Sequence, residues 1–277
     1  MQAAVCRFTG IGHSVKRSGA WHVTGIAIAT ALFWNAMGET AVATGLEGSF
    51  SAELPQPATI WHLDSLHGLE LRGINEDGAD PVRIHASVSD YRGRHALRIV
   101  NEEGQSAGPR GAEILAIVRS SNLLDGTIEL NVAGFPRMGA KAGTRGFVGV
   151  AFRVQDGGRQ YETFYLRMTN GRAEDQVRRN HTVQYSALPD FPWNRLRDEN
   201  PGMYESYVDL AAGAWTRIKI EIAGATASFY VNGAREPCLI VKDLKLAPAL
   251  GNVALWVGSD TVAYFSDLTV IQGVDMS

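Results

Sequence analysis

The sequence predicts an all-β, two-sheet antiparallel jelly-roll sandwich, and three observations carry that prediction. From residue 81 onward, short β-branched and aromatic stretches alternate with turn residues at close spacing. Arg217-Ile218-Lys219-Ile220-Glu221-Ile222 alternates strictly, which offers one face to a core and the other to water. Residues 147–152 are nearly all apolar or glycine, as a strand covered on both faces requires. Strong helical periodicity is absent, and so are internal repeats and low-complexity tracts.

The chain opens on a different pattern. Lys16 and Arg17 precede an apolar stretch at residues 23–36, and small residues follow at 39–45. Charge, apolar core and small-residue site together read as a secretory signal peptide. The stretch is short and interrupted for a transmembrane span, and an uncleaved signal anchor is the alternative. Cleavage after Ala41 or Ala43 assigns residues 1–43 to the signal peptide and 44–277 to a single sandwich domain, with no stable membrane span after cleavage. About 230 residues suffice for one such domain with a substantial core. The only cysteines are Cys6, in the leader, and Cys238. The processed chain then has no intrachain disulfide, which suits a bacterial periplasmic or secreted protein held by its core alone. Twenty-six basic against 29 acidic residues give a formal net charge of −3, which argues against nucleic acid as a partner.

The expected strands run over residues 82–88, 96–101, 112–118, 127–132, 147–154, 161–168, 177–185, 204–209, 217–222, 227–231, 252–257 and 262–271. Between them fall Asp125-Gly126, Asp156-Gly157-Gly158, Asn170-Gly171, Ala223-Gly224, Asn232-Gly233 and Gly258-Ser259-Asp260, all hairpin-type turn residues. Ile60-Trp61 and residues 69–71 are expected to supply an opening strand beside the chain's last one. Residues 186–203 hold three prolines, Phe191 and Trp193 and read as a long loop, the kind of segment that often binds or covers a ligand.

The densest polar chemistry lies between residues 163 and 185. Arg167, Asn170, Arg172, Glu174, Asp175, Gln176, Arg178, Arg179 and His181 fall within fifteen residues, bracketed by Phe164, Tyr165, Leu166, Val183 and Tyr185. On an extended segment, alternation puts Arg178 and Asn180 on one face and Arg179 and His181 on the other. One reading is a polar array for a hydroxyl-rich ligand, with Trp193 as a stacking platform for a sugar ring. The other is a solvated, mutually neutralising surface.

Residues 215–233 (WTRIKIEIAGATASFYVNG), 251–258 (GNVALWVG) and 262–270 (VAYFSDLTV) resemble the closing strands of concanavalin A-like lectin/glucanase and laminin G-like jelly rolls. The order of segments, with Phe164-Tyr165-Leu166-Arg167 followed by Glu174-Asp175-Gln176, is similar to the bacterial 3-keto-disaccharide hydrolase-like family. This chain departs from it by its extra arginines and His181. The resemblance implies an exported carbohydrate-active enzyme, a lyase or hydrolase on glycosides that include 3-keto forms.

A 3-keto group acidifies the neighbouring C2 hydrogen, so a base and a donor to the developing enolate are needed. His181 is the candidate base, Arg178 or Arg179 the enolate stabiliser, and Tyr185 or Glu174 the leaving-group acid. Arg167, Asn170, Gln176, Arg178, Asn180 and Trp193 are the candidate substrate contacts. No E-x-D-x-x-E strand is present, and the adjacent Glu174 and Asp175 point apart on a strand, which disfavours a two-carboxylate retaining mechanism. The alternatives are a non-catalytic carbohydrate-binding module and a cell-envelope interaction protein. No cofactor is implied with certainty. Ca²⁺ or another divalent metal remains a possible addition through Asp209, Asp260 and Asp267, through His62 and His67, or through His181 with Glu174, although no ligand loop has defined spacing. Cys238 reads as a small buried residue.

Overall fold

The computed structural model describes residues 58–74, 84–101 and 112–273. The expected signal peptide, with Cys6, Lys16, Arg17 and both cleavage positions, lies outside the described residues. In chain order the strands are β1 (Ala58–Trp61), β2 (Leu69–Ile74), β3 (Ile84–Tyr91), β4 (Arg94–Asn101), β5 (Glu113–Leu123), β6 (Gly126–Pro136), β7 (Phe147–Gln155) and β8 (Gln160–Arg167). A short helix α1 (Gln176–Asn180) and β9 (Val183–Leu188) follow, then α2 (Trp193–Glu199) and β10 (Glu205–Ser206). The chain closes with β11 (Thr216–Ala223), β12 (Thr226–Val231), β13 (Leu239–Val241), β14 (Gly251–Val257) and β15 (Thr261–Gln272).

These strands build the expected sandwich from two antiparallel sheets. One runs β13-β12-β11-β6-β15-β4-β3, with β1 also pairing β15, and the other runs β10-β9-β8-β7-β14-β5-β2. Period-two alternation explains how the faces sort. In β11 every second residue from Thr216 to Ile222 is buried while Arg217 and Glu221 are exposed, as expected. In β7 all residues from Val148 to Val154 are buried, so both faces of the second sheet are covered here.

Between the sheets, Phe229 of β12 stacks on Phe164 of β8 at 5.3 Å, and Phe164 stacks on Phe152 of β7 at 6.2 Å. Each such ring contributes roughly 1.5–3 kcal/mol of apolar burial. One carboxyl enters this core. Glu162 is fully buried, accepts from the Tyr185 hydroxyl and from the Leu246 amide at 3.0 Å, and is pushed up by its burial.

Four expectations are corrected. Residues 177–185 do not form one strand: Asp175 caps α1 by accepting from Arg178 N at 3.1 Å, so the polar run turns helical and β9 begins only at Val183. The expected strand at 204–209 shrinks to Glu205–Ser206, after which the chain leaves the sheet edge to pack Leu210 against the backbone of Gly171. The loop 186–203 holds the end of β9 and the helix α2, whose Leu196 is buried. Of the two opening segments, β1 does pair with the last strand, whereas β2 pairs with β5 in the other sheet. The three-residue strand β13 escaped the sequence reading because it is too short for alternation to register.

Candidate functional site

A cavity of about 660 Å³ opens on the outer face of the second sheet. Its floor follows from one cross-strand row. Gly149 of β7 pairs with Tyr165 of β8 on one side and Trp256 of β14 on the other. With no side chain between them, the two rings meet over the glycine and stack at 4.5 Å and 23°. A Cβ at Gly149 would come within 2.6 Å of Tyr165 Cα, so the row tolerates nothing larger. Trp256 donates its indole N–H to Glu113 at 2.9 Å, and Glu113 also accepts from the Tyr161 hydroxyl. Burial pushes the Tyr165 hydroxyl up to about 12, so it is a donor at neutral pH.

One wall is built around Glu205. Its carboxylate, 2% exposed, faces Arg167 at 3.6 Å, Arg197 of α2 at 3.0 Å and 3.1 Å, and the Nδ1 of His181. Three cationic or ionisable groups from β8, α2 and the end of α1 thus converge on one acid from β10. A buried charge cluster holds only when geometry and hydrogen bonds offset its desolvation. Arg167 meets that condition by donating also to His181 O at 3.0 Å, Tyr165 Oη at 3.2 Å and Gln184 Oε1 at 3.1 Å. Asn170 donates to the same His181 carbonyl at 3.0 Å, which pins the chain at the point where α1 passes into β9.

His181 is held below its ordinary value, first by partial burial and then by the nearby Arg197 and Arg167, while Glu205 pulls the other way. The ring is therefore neutral at pH 7. With Nδ1 turned to the carboxylate, Nε2 is the nitrogen left to accept a proton. Above it, Trp193 lies under the guanidinium groups of Arg197 at 4.6 Å and Arg167 at 5.7 Å. Arg178 donates to Asn170 Oδ1 at 2.9 Å and to Thr169 Oγ1 at 2.8 Å.

Of the residues singled out from sequence, Arg167, Asn170, Asp175, Arg178, His181, Trp193 and Asp260 line this cavity. The others stand elsewhere. Glu174 is exposed ahead of α1, and Gln176 donates to Asn180 at 2.8 Å on the exposed side of that helix. Arg179 donates to the Tyr207 hydroxyl at 2.9 Å and covers its ring. Tyr185 is in the inter-sheet core with Glu162. The pairing of Arg178 with Asn180 on one strand face does not occur, because both lie on α1.

The cavity also contains Glu113, Lys141, Arg145, Tyr165, Arg197 and Trp256, which sequence reading did not select. Only the Tyr165–Gly149–Trp256 row had a local signal, a glycine in an otherwise apolar strand.

The aspartates considered for a metal are each engaged. Asp209 pairs with Arg172 at 2.9 Å, Asp260 with Arg137 at 3.0 Å, and Asp267 with Arg94 at 2.7 Å. His62 and His67 are exposed. Among the described residues no group of three or more His, Cys, Asp or Glu side chains comes together. Cys238 donates to Phe229 O at 3.3 Å, and burial pushes its thiol up to about 12. Among the same residues no helix is long and apolar enough to cross a membrane.

No protein-family model matches the chain, and comparison with the curated proteins gives no match. Among solved structures, it is similar to the carbohydrate-binding module CBM66 from Bacillus subtilis at 13% identity, over 68% of this chain and 94% of that one, with a TM-score of 0.43. It is also similar to the β-glucanase of Bacillus licheniformis at 11% identity, over 78% and 98%, with a TM-score of 0.44. A protein of unknown function with a galectin-like fold from Bacillus subtilis matches at 14% identity, over 78% and 96%, with a TM-score of 0.45. Fold does not fix chemistry, so the site has to be argued from its side chains.

Proposed function

We propose that the protein is an exported carbohydrate-active enzyme that cleaves a glycoside by removing a proton from a carbon next to a carbonyl. The observation that carries this reading is the His181–Glu205 pair at the wall of an aromatic-floored cavity. Burial and the nearby arginines hold the imidazole neutral, Glu205 faces its Nδ1 and orients it, and Nε2 acts as the base. Arg178 takes up the charge that develops on the carbonyl oxygen. Tyr165, with its proton retained at neutral pH, replaces Tyr185 and Glu174 as the donor to the departing oxygen. Trp193 offers an apolar ring face to the C–H face of a pyranose. The 3-keto group implied by the sequence resemblance is one such carbonyl.

The test is product analysis with a panel of glycosides and their 3-keto derivatives, run beside calorimetric binding. His181→Ala is expected to lower turnover by roughly a hundredfold or more while changing ligand affinity little. Binding without product in the wild-type protein would replace this reading by a non-catalytic sugar-binding module.

A further inference from the structure

Every carboxylate at the cavity already has a partner. Glu113 accepts from Trp256 and Tyr161, Asp260 from Arg137 and the Lys141 amide, Asp175 from the Arg178 amide, and Glu205 is shared among its three neighbours. Two of the cations are not matched in the same way. Arg145, on the loop between β6 and β7, is half-buried, and among the described residues its guanidinium donates only to Thr144 O at 3.5 Å. Arg178 beside it is held by neutral acceptors alone. Arg145, Arg167 and Arg178 line the same cavity, and burial followed by these two like charges holds the Arg145 guanidinium below its ordinary range. The chain as a whole carries a net charge of −3, so this local excess runs against its composition.

Arg167 has Glu205 as its counter-ion, but Arg145 and Arg178 have no carboxylate on their guanidinium groups among the described residues, and like charges gathered in this way cost free energy that a bound anion returns. Guanidinium groups match planar carboxylates in particular, since the fork of donors can engage both oxygens. We infer that the saccharide taken by this cavity is acidic, a uronate whose carboxylate sits against Arg145 with Arg178 beside it. This rests on the carbohydrate reading above and names the substrate class for the same site. Arg145 is then the residue that sets specificity for acidic over neutral sugars, and its effect weakens with salt because the site is open to solvent.

The experiment is calorimetric titration of the wild-type chain with uronate oligosaccharides and with the same oligosaccharides after reduction of each carboxyl to an alcohol. Charge-assisted pairing predicts that an acidic member binds about tenfold or more tightly than its reduced partner. Arg145→Gln should remove that preference and Arg145→Lys should keep part of it, with melting curves of both variants confirming the fold. If acidic and reduced members bind alike, and Trp193→Ala weakens both, the acidic substrate is overturned while the carbohydrate reading stands. If no member of either series binds, both are overturned.

Discussion

Glu205 faces three partners with one carboxylate, and the state of His181 follows from that arithmetic. Two arginines already draw on the acid, so its pull on the imidazole is too weak to overcome burial, and the histidine stays below 6.5. The sign of the pH dependence follows. A base active in its neutral form loses rate as pH falls through the lowered value and is flat above it. The same shift affects stability: the unfolded chain takes up this proton first, so the contribution is complete above about pH 6.5 and is lost as pH falls through the folded value. In Glu205→Gln the raising influence of the carboxylate is gone, and the acid limb of turnover should move to lower pH. A pH–rate profile of the two proteins checks this, and an unmoved limb would detach His181 from the rate. None of it was visible in sequence. His181 stood out by its neighbours, whereas Glu205 joins it only through the pairing of Glu205 with Gln184 across β9 and β10, and register is not a local property.

At the scale of elements, the floor and the wall differ in how they are specified. The floor is made by strands whose pairing puts Tyr165, Gly149 and Trp256 in one row, and the sequence marked all three strands, β7 by its unbroken apolar run. Gly149→Ala should be destabilising by about 1–3 kcal/mol through overpacking, with the stacked pair pushed apart. Thermal melting and near-ultraviolet circular dichroism of the tyrosine and tryptophan rings measure both effects; an unchanged melt would mean that the strands can shift to admit a methyl group. The wall is made by α1 and α2, and both were read as something else. Asp175 explains the first error. Just ahead of an expected strand it was one more charge, but its carboxylate caps the helix, and capping competes with extension wherever a short acidic residue precedes good helix formers. Because α1 is helical, Arg178 reaches the cavity while Gln176 and Asn180 pair with each other outside it.

For the whole molecule, the two-sheet sandwich was legible because short strands separated by turn residues recur along the chain, alternating as in β11 or continuously apolar as in β7, each readable without its neighbours. The order of strands within each sheet was not legible, since it depends on which distant segments meet. That order makes a prediction of its own. β15 lies between β6 and β4 in the interior of one sheet, and β14 lies between β7 and β5 in the interior of the other. Removing residues 261–277 would leave the facing edges of β4 and β6 unpaired along with the burial of Phe265, Leu268 and Val270. The shortened chain is expected to show no cooperative melt, and a retained sharp transition would contradict it. The interior position of the two late strands also sets the order of events during synthesis. A growing chain that has reached residue 250 holds the strands on either side of β14 and β15 but neither of the two that join them, so the sandwich cannot close until these late strands are made. Until then the inward faces of β5, β6, β7 and β8 lack part of their cover, and that interval is when the chain is most exposed to aggregation.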